Sequence, residues 1–336
     1  HNENMSGLEE YLQAIESTGV RGIIVADPLI IETCRRVAPN LEIHLSTQQS
    51  LSNWKAVKYW KDEGLHRVVL AREVGAEEMK KMKEEVDIEI EAFVHGAMCI
   101  AYSGRCVLSN HMTARDSNRG GCCQSCRWDY DLYEEKDGEE VALFNEGDAP
   151  FAMSPKDLKL IESIPHMIEL GIDSLKVEGR MKSIHYVATV ISVYRKVIDA
   201  YCADPENFQI KKEWLDELSR CAIRPAASSF FEGEPSYKQQ MFGFHASKPK
   251  WDFAGLVLDY DQETQIVTLE QRNYFKPGDT VEFFGPEIDT FQMVVGQLWD
   301  EDGAELDVAR HPLQIVKFKV DRPLHPNNMM RKGNVK

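Results

Sequence analysis

The stretch Gly22-Ile-Ile-Val-Ala-Asp27 is a short apolar run that ends on a charged residue, and the amphipathic segment 28–37 follows it directly. A buried strand followed by a helix is the repeating unit of a parallel sheet. The pattern recurs, and it predicts further strands at 42–47, 67–73, 88–95 and 174–180 and further helices at 8–17, 50–63 and 76–85. We therefore predict an α/β fold for the first two-thirds of the chain.

The spacing of these strands favours one parallel architecture. The first four begin at residues 22, 42, 67 and 88, and a spacing of about 20–25 residues suits the repeat of a TIM-type (β/α) barrel. A doubly wound sheet is the alternative, but no Gly-x-Gly-x-x-Gly turn follows any predicted strand. Such a barrel has about eight strands, of which five are clear here. We therefore predict a TIM-type barrel that lacks its first strands, with a smaller open sheet, complete as it stands, as the alternative.

A long insertion separates the fourth and fifth predicted strands. It covers about residues 97–150, contains most of the cysteines, and ends in a predicted hairpin whose turn is Asp137-Gly138. The segment 151–157 is predicted to be a short strand end or a barrel-mouth segment. The first predicted domain, 1–222, is thus a partial barrel with a cysteine-rich insertion, and it ends in helices at 183–201 and 212–221.

The last part of the chain follows a different pattern. Prolines and glycines at 223–250 indicate a linker, with an irregular segment that wraps around the fold as the alternative. From Trp251 onward, short runs of alternating apolar and polar residues are separated by turn signals such as Lys276-Pro-Gly-Asp279. This pattern predicts a small antiparallel β-barrel domain at 251–336. Its predicted strands are 255–259, 266–270, 280–284, 291–295 and 315–320.

Charge and hydropathy exclude some classes of protein. The chain has 39 basic and 55 acidic residues and a net charge of −16, which argues against a general DNA-coating protein because such proteins neutralise phosphates. No apolar run approaches the roughly 18 residues of a membrane-spanning helix, so we expect no membrane association. No charged and then apolar leader opens the chain, so we expect a cytoplasmic protein.

The cysteines are clustered. Five of the eight lie between Cys99 and Cys126, in the pattern Cys99-x6-Cys106-x15-Cys122-Cys123-x2-Cys126. Clustered cysteines in a cytoplasmic chain indicate a metal site or catalysis more often than disulfides. The spacing alone leaves three alternatives: an iron–sulfur cluster, structural zinc, or redox-active or free thiols. The position of Cys99 just after a predicted strand, where barrel enzymes build their active sites, favours a metal that faces substrate.

The segments around these cysteines resemble a known family. Glu91-Ala-Phe-Val-His-Gly-Ala-Met-Cys99 and Tyr102-Ser-Gly-Arg-Cys-Val-Leu-Ser109 are similar to the signature of the collagenase-like peptidase family (unassigned peptidase family thirty-two). Asn118-Arg-Gly-Gly-Cys-Cys-Gln-Ser-Cys-Arg-Trp128 and Val177-Glu-Gly-Arg-Met-Lys182 extend the resemblance, which is dense over about residues 20–200. Within the family the chain most resembles the branch of tRNA hydroxylation proteins. The family's barrel begins with strands that this chain lacks.

The resemblance implies RNA modification rather than proteolysis. Members of this branch are similar to prephenate-dependent tRNA uridine 5-hydroxylases that act on the wobble uridine, and relatives hydroxylate a ribosomal RNA cytidine or a quinone precursor. The resemblance also implies tRNA as partner, prephenate as hydroxyl donor and a [4Fe–4S] cluster as cofactor. Carried over by position, its ligands are Cys99, Cys106, Cys122 and Cys126. Cys123 is the alternative to Cys122, because it would form a Cys-x2-Cys pair with Cys126.

A dicarboxylate donor needs cationic partners, and arginine binds carboxylates in a bidentate manner. Arg72 and Arg180 lie at predicted strand ends, and Lys182 lies just beyond. For both arginines the alternative is a salt bridge at the rim, to Glu73 or to Glu178. The full set of candidate substrate-binding residues is Arg72, Thr47, Gln48, Lys156 and Lys182, and the candidate catalytic residues are His95, Glu178 and Arg180.

Three other functions remain open at this stage. One is a related hydroxylase that acts on rRNA or a quinone precursor. Another is a peptidase, although the chain contains neither His-Glu-x-x-His nor Gly-x-Ser-x-Gly. The third is a non-catalytic scaffold stapled by zinc. The open side of an incomplete barrel would expose apolar surface, which is compatible with a homo-oligomer or with a hetero-oligomer formed with a paralogue.

Overall fold

The structure is a computed structural model that describes residues 4–128, 130, 133–136, 139–142, 151–242 and 250–333. The chain forms two compact units. The first unit comprises His1–Lys182, Tyr194–Ile210 and Arg224–Ala246, and the second comprises Ser183–Val193, Lys211–Ile223 and Ser247–Lys336. Much of the predicted linker at 223–250 therefore belongs to the first unit, and part of the predicted first domain belongs to the second.

The first unit is built on parallel strands that match the five predicted from the sequence. Each pairs in parallel with its neighbour, in the order β1-β2-β3-β4-β9. Their bounds are β1 Gly22–Val25, β2 Glu42–Leu45, β3 Arg67–Val69, β4 Glu89–Gly96 and β9 Ser174–Val177. Strand β4 is buried along nearly its whole length. Such continuous burial is expected of a parallel strand covered on both faces.

Six helices of the first unit surround or connect these strands. They are α1 Leu8–Ser17, α2 Pro28–Val37, α3 Trp54–Asp62, α4 Ala76–Glu85, α5 Leu108–Thr113 and α6 Ile164–Glu169. Helix α2 shows why the predicted bounds were accurate. Asp27 caps its N-terminus by accepting a hydrogen bond from Leu29 N at 2.8 Å, and Pro28 occupies the first turn.

Shorter strands complete the first unit. They are β5 Tyr133–Lys136, β6 Glu139–Ala142, β7 Phe151–Pro155, β8 Asp157–Lys159, β10 Ala226–Ala227 and β11 Gln240–Phe242. Strands β5 and β6 form the predicted antiparallel hairpin, whose turn lies outside the described residues. The predicted segment at 151–157 contains β7 and the start of β8, and β8 pairs in an antiparallel manner with the carboxyl end of β4.

Seven of the described strands of this unit form one sheet, with the path β1-β2-β3-β4-β8-β10 and with β9 also paired to β4, and the pairs β5–β6 and β7–β11 form two small sheets of their own. The α/β prediction is confirmed by these elements. Closure into a TIM-type barrel is not seen in the described part of the chain, so the barrel stays a prediction.

The helix α7, Ile184–Ala203, follows β9 in the chain.

A chain of ion pairs crosses the amino ends of the parallel strands. Arg67 on β3 contacts Glu89 at 2.6 Å and Glu91 at 3.2 Å, both on β4. Glu91 also accepts from Lys176 on β9 at 2.5 Å and from Ser174 Oγ at 3.0 Å. Strands β3, β4 and β9 are therefore tied together at this end by side chains as well as by backbone hydrogen bonds.

The second unit is dominated by an eight-stranded antiparallel sheet. The helix α8, Lys212–Cys221, belongs to the same unit. The strands of the sheet are β12 Trp251–Asp261, β13 Ile266–Gln271, β14 Thr280–Phe284, β15 Phe291–Val294, β16 Leu298–Trp299, β17 Glu305–Leu306, β18 Ile315–Lys319 and β19 Met329–Gly333. The sheet order is β15-β14-β19-β12-β13-β18-β16-β17. All five predicted strands are present, and the prediction of an antiparallel β domain is confirmed.

The last strand was not predicted, although it lies between β14 and β12 near the centre of the sheet. Its sequence, Met329-Met-Arg-Lys-Gly333, resembles a charged chain end. Arg331 on this strand is fully buried. Its guanidinium bonds Glu217 of α8 at 2.6 and 2.8 Å and also bonds Glu282 of β14. These two carboxylates allow a charged residue to occupy the core, a situation that local patterning does not reveal.

No helix in the described ranges is long and apolar enough to cross a bilayer.

Candidate active site at the carboxyl ends of the parallel strands

The segment after β2 attaches the cysteine-rich insertion to the sheet. Thr47 Oγ1 donates to Leu70 O at 2.9 Å, and Gln48 Nε2 donates to Asn118 O at 2.8 Å. The insertion also packs tightly on Gln48, because a β-carbon at Gly104 would lie 2.2 Å from Gln48 O. These two predicted substrate-binding side chains therefore make structural contacts.

The end of β3 makes a second attachment. Ser103, which is fully buried, accepts a hydrogen bond from Arg72 N at 3.1 Å through its hydroxyl. Its own backbone N–H donates to Glu73 Oε1 at 3.0 Å. The insertion next to Cys99 is thus bonded to Arg72 and Glu73 in the segment after β3, which sets where this cysteine lies relative to the sheet.

The insertion brings four of its cysteines into one electrostatic neighbourhood. The pKa of Cys126 is raised to about 11, chiefly by burial and also by the charges of Cys99, Cys122 and Cys106, against the opposing charge of Arg127. The pKa of Cys99 is raised by burial, and Cys122 and Cys106 contribute to this increase. Cys99 as a residue is exposed. These four are the cysteines predicted as ligands.

Cys123 has a different environment from its neighbour Cys122. Its sulfur lies 3.2 Å from Ser109 Oγ and 3.5 Å from Thr113 Oγ1, both on α5. These hydrogen bonds, Ser109 first, lower the pKa of Cys123 to about 7. The adjacent cysteines therefore face different partners, and the one that interacts with Cys99 and Cys126 is Cys122.

The described residues contain no group of three or more His, Cys, Asp or Glu side chains placed to hold a single metal ion. A four-iron cluster requires a different arrangement, since each of its irons takes one cysteine thiolate. The sulfurs of such a ligand set surround a cluster rather than meeting around one ion.

A buried ion pair links the insertion to β8. Arg127, which follows Cys126, donates to Asp157 Oδ1 at 2.6 Å, and Lys182 Nζ lies 3.6 Å from Asp157 Oδ2. All three side chains are less than a tenth exposed. Burial lowers the pKa of Lys182, an effect that Asp157 opposes. This predicted substrate-binding lysine is thus held in an internal ion pair.

His95 lies at the carboxyl end of β4 and is buried. Its Nδ1 is 3.1 Å from the hydroxyl of Tyr194, which in turn donates to Val94 O at 2.9 Å. Burial lowers the pKa of His95 to about 4, against the opposing charge of Asp157. The imidazole is therefore neutral at physiological pH. In this form one ring nitrogen carries a proton and the other can accept one.

Three more predicted residues lie at strand ends. The Arg72 guanidinium stacks 3.8 Å from the ring centre of Phe93, and its Nε is buried without a hydrogen-bond partner in the described part of the chain. Glu178 accepts from Arg180 N at 3.1 Å through Oε1, and its Oε2 likewise lacks a partner there. The Arg180 guanidinium packs on Gly120, where a β-carbon would lie 2.5 Å from Nη1.

A cavity of about 130 Å³ adjoins Cys99. Among its lining residues are Lys156, which was predicted, and Glu73, Tyr102 and Gln239, which were not predicted as site residues. Gln239 comes from the distant segment before β11, and its carbonyl accepts from Lys156 N at 2.9 Å. A long-range backbone contact brings this glutamine to the cavity. Sequence reasoning therefore had no signal that could have found it.

Most of the predicted residues thus fall into two groups. The cysteines Cys99, Cys106, Cys122 and Cys126 interact electrostatically, and Arg72 also acts on Cys99, lowering its pKa against the larger effect of burial. Thr47, Gln48, Lys182 and His95 are engaged in contacts that hold the site together. Asp157 and Tyr194 supply these contacts, and their importance follows from tertiary packing.

The chain is similar to known proteins over most of its length. The chain is 75% identical over 333 residues to tRNA hydroxylation protein P1 of Bacillus subtilis (strain 168), covering 99% of this chain and 79% of that protein. It is 31% identical over 331 residues to tRNA hydroxylation protein P of Escherichia coli (strain K12), covering 85% and 72%. It is also 34% identical over 200 residues to the 23S rRNA 5-hydroxycytidine C2501 synthase of Escherichia coli (strain K12), covering 60% and 29%.

Family models match both parts of the chain. Residues 1–241 match peptidase family U32, and residues 249–331 match the peptidase family U32 C-terminal domain. The first match covers well over half of the chain and includes every residue of the candidate site. The chain therefore belongs to peptidase family U32.

Proposed function

We propose that this protein is an RNA hydroxylase whose substrate is tRNA, and that it hydroxylates C5 of the wobble uridine. The observation that carries the proposal is the 75% identity, over 99% of this chain, to a protein named for tRNA hydroxylation. A tRNA substrate implies a cytoplasmic location.

We further propose that Cys99, Cys106, Cys122 and Cys126 hold a [4Fe–4S] cluster. Support comes from the mutual electrostatic effects of these four thiols and from the hydrogen bonds that Cys123 makes to α5 instead. When bound, such a cluster would supply electron-transfer chemistry next to the strand ends. The contacts of Ser103 and Gln48 would hold the ligand loop in place whether or not a cluster is present.

Prephenate is the proposed hydroxyl donor, and Arg72 is the residue best suited to bind it. Its Nε is buried and, in the described ranges, lacks a hydrogen-bond partner, while Phe93 holds the guanidinium plane. A fixed guanidinium with an unused donor can bind a carboxylate. Lys182 is less available, because its ammonium faces Asp157. Arg180, whose guanidinium lies next to Gly120, is a further candidate cation for the donor.

Two predicted catalytic residues have distinct proposed roles. Neutral His95, bonded to Tyr194, orients the end of β4 and can relay a proton through that hydroxyl. Glu178 has one carboxylate oxygen held by Arg180 N and the other buried without a partner among the described residues. That second oxygen is suited to accept a proton or an N–H from a bound substrate.

The proposal is tested by deleting the gene from its host and analysing tRNA nucleosides by mass spectrometry. We expect 5-hydroxyuridine and its derivatives to disappear and to return with the wild-type gene but not with a Cys99→Ala gene. Anaerobically purified protein should contain about four irons and four sulfides per chain. Unchanged tRNA would overturn the proposed function, and one zinc without iron would overturn the cluster.

An rRNA acceptor is the second candidate, and the 34% identity to an rRNA hydroxycytidine synthase favours it. That relative matches only 60% of this chain, whereas the tRNA relative matches nearly all of it. The same deletion strain distinguishes the two, since an rRNA enzyme would leave tRNA unchanged and remove a hydroxylated cytidine from rRNA.

A further inference from the structure

The similarity to known proteins does not explain the size of the cavity beside Cys99 or the side chains that line it. We infer that it takes up the pyrimidine ring of the RNA nucleotide to be modified, and that Gln239 and Tyr102 contact that ring. The inference rests on the proposed function and adds to it the residues that recognise the base.

The volume of the cavity suits one six-membered ring. It measures about 130 Å³, and an apolar protein cavity of about 150 Å³ is known to take up benzene. A pyrimidine base removed from its stack is a ring of this kind. A nucleotide must be turned out in this way before an enzyme can reach a ring carbon.

Two residues that line this cavity carry hydrogen-bond acceptors with unused capacity. Gln239 Oε1 and Glu73 Oε2 are both buried and lack a hydrogen-bond partner in the described part of the chain. Buried acceptors of this kind are normally paired, so they call for a ligand that brings N–H groups. Uracil offers N3–H, and its carbonyl oxygens can accept from the Gln239 amide or from Lys156.

These acceptors are held in fixed positions. The other carboxylate oxygen of Glu73 accepts from Ser103 N at 3.0 Å, which orients the group. The backbone of Gln239 is bonded on both sides, with its carbonyl accepting from Lys156 N at 2.9 Å and its N–H donating to Ser236 O at 3.0 Å. A site prepared in this way binds with less loss of conformational freedom.

The same groups disfavour the dicarboxylate donor in this cavity. The Glu73 carboxylate lines the wall, and it would repel a dianion at close range because like charges at low dielectric interact strongly. A neutral ring with an N–H group meets no such repulsion. The donor is better accommodated at Arg72, so the two substrates would occupy neighbouring positions.

An aromatic side chain stands at the cavity. Tyr102 is 62% exposed and contributes to the lining, together with Phe230. Exposed aromatic rings are the usual stacking partners of single, unpaired bases. The backbone of Tyr102 is held by a turn, since its carbonyl accepts from Arg105 N at 2.9 Å. Stacking on this ring would keep the base in the cavity.

The test measures binding of the whole purified chain to anticodon stem-loop RNA by fluorescence anisotropy. One RNA has uridine at the wobble position, and the other has an abasic nucleotide there. We expect Tyr102→Ala to weaken binding of the uridine RNA by about 10-fold, as loss of one stacking contact does, and Gln239→Leu by roughly 5-fold. Neither variant should change binding of the abasic RNA by more than about 2-fold, which a merely structural role would not predict.

Tyr237→Ala is the matched control, because Tyr237 lies in the same short helical turn as Gln239, is 71% exposed and is not among the cavity-lining residues. It should bind both RNAs like the wild type. Equal weakening of both RNAs by Tyr102→Ala and Gln239→Leu, or no weakening of either, would overturn the base pocket. The tRNA nucleoside analysis decides the proposed function separately, because hydroxylation can persist with the base bound elsewhere.

Discussion

The two ends of the parallel sheet in the first unit use charged residues in opposite ways. At the amino ends, Glu91 is bonded to Lys176, Ser174 and Arg67 at once. At the carboxyl ends, Arg72, Glu73 and Glu178 each keep a buried polar atom without a partner in the described ranges. Saturated hydrogen bonding stabilises a fold, whereas unused buried capacity is a cost that a ligand can relieve. The comparison shows which end is fully bonded, and it is consistent with our proposal that substrates bind at the other end.

The largest expected effect is at the carboxyl end. Replacing Cys122 by serine should abolish iron binding and tRNA hydroxylation, a loss of at least about 100-fold, because a serine hydroxyl is a poor substitute for a thiolate ligand. Cys123→Ser is the matched control at the adjacent position. Its partners are Ser109 and Thr113, so iron content and activity should change by less than about 3-fold.

Iron and sulfide analysis of the two purified variants checks this prediction. If Cys123→Ser lost its iron and Cys122→Ser kept it, Cys123 and not Cys122 would be the ligand.

The next largest effect should be on stability at the amino end. Glu91→Gln leaves Lys176 and Arg67 short of a carboxylate, and we expect the free energy of unfolding to fall by roughly 2–4 kcal/mol. Urea denaturation followed by circular dichroism measures this change. Glu162→Gln serves as the control, because Glu162 is largely exposed and its ion pair is with Lys159, three residues earlier, at 3.3 Å, a contact worth about 0–1 kcal/mol.

The Glu91 contribution should also depend on pH. Burial favours the protonated form, but the hydrogen bonds and charges of Lys176, Ser174 and Arg67 outweigh it and hold the pKa of Glu91 below the ordinary glutamate value of 4.5. The folded-state pKa is therefore below the unfolded one. The stabilisation is present above pH 4.5 and is lost as the pH falls through the folded-state pKa. If the wild type and Glu91→Gln differed equally at pH 7 and at pH 3, charge would not be the cause.

A smaller effect is expected where the insertion packs on the sheet. Gly104 has φ +77°, and a β-carbon there would lie 2.2 Å from Gln48 O. Gly104→Ala should destabilise the insertion by about 2 kcal/mol and lower the iron content, since both the left-handed backbone and the contact disfavour a side chain. Gly64→Ala is the matched control with φ +78° and open space around it.

Calorimetry and iron analysis compare these two glycine variants. The Gly64 variant should lose only about 1 kcal/mol, from the backbone conformation alone, and should keep its iron. Equal iron loss in both would mean that the contact with Gln48 does not position the cysteines.

The smallest expected effect concerns Arg72. Arg72→Lys keeps the charge but loses the planar stacking on Phe93 and the fork of donors. We expect the KM for the carboxylate donor to rise by about 10-fold with little change in iron content or thermal stability. A change in kcat alone, with KM for the donor unchanged, would contradict donor binding by this side chain.

Much of the fold could be predicted because its signals are local. Helices 28–37, 76–85 and 212–221 were predicted with their observed bounds, since helical periodicity and end signals such as Asp27-Pro28 lie within a few residues of each other. Strand β19 was missed because Arg331 is buried only through Glu217 and Glu282, which are distant in the sequence.

The sequence by itself determined the order of strands and helices, the change to an antiparallel domain and the spacing of the clustered cysteines. Only the tertiary structure decided that Cys123 turns towards Ser109, that Lys182 faces Asp157 and that Gln239 lies beside Cys99. Periodicity and turn chemistry act between neighbouring residues, whereas the partner of a buried polar group is chosen by the packing of segments far apart in the chain.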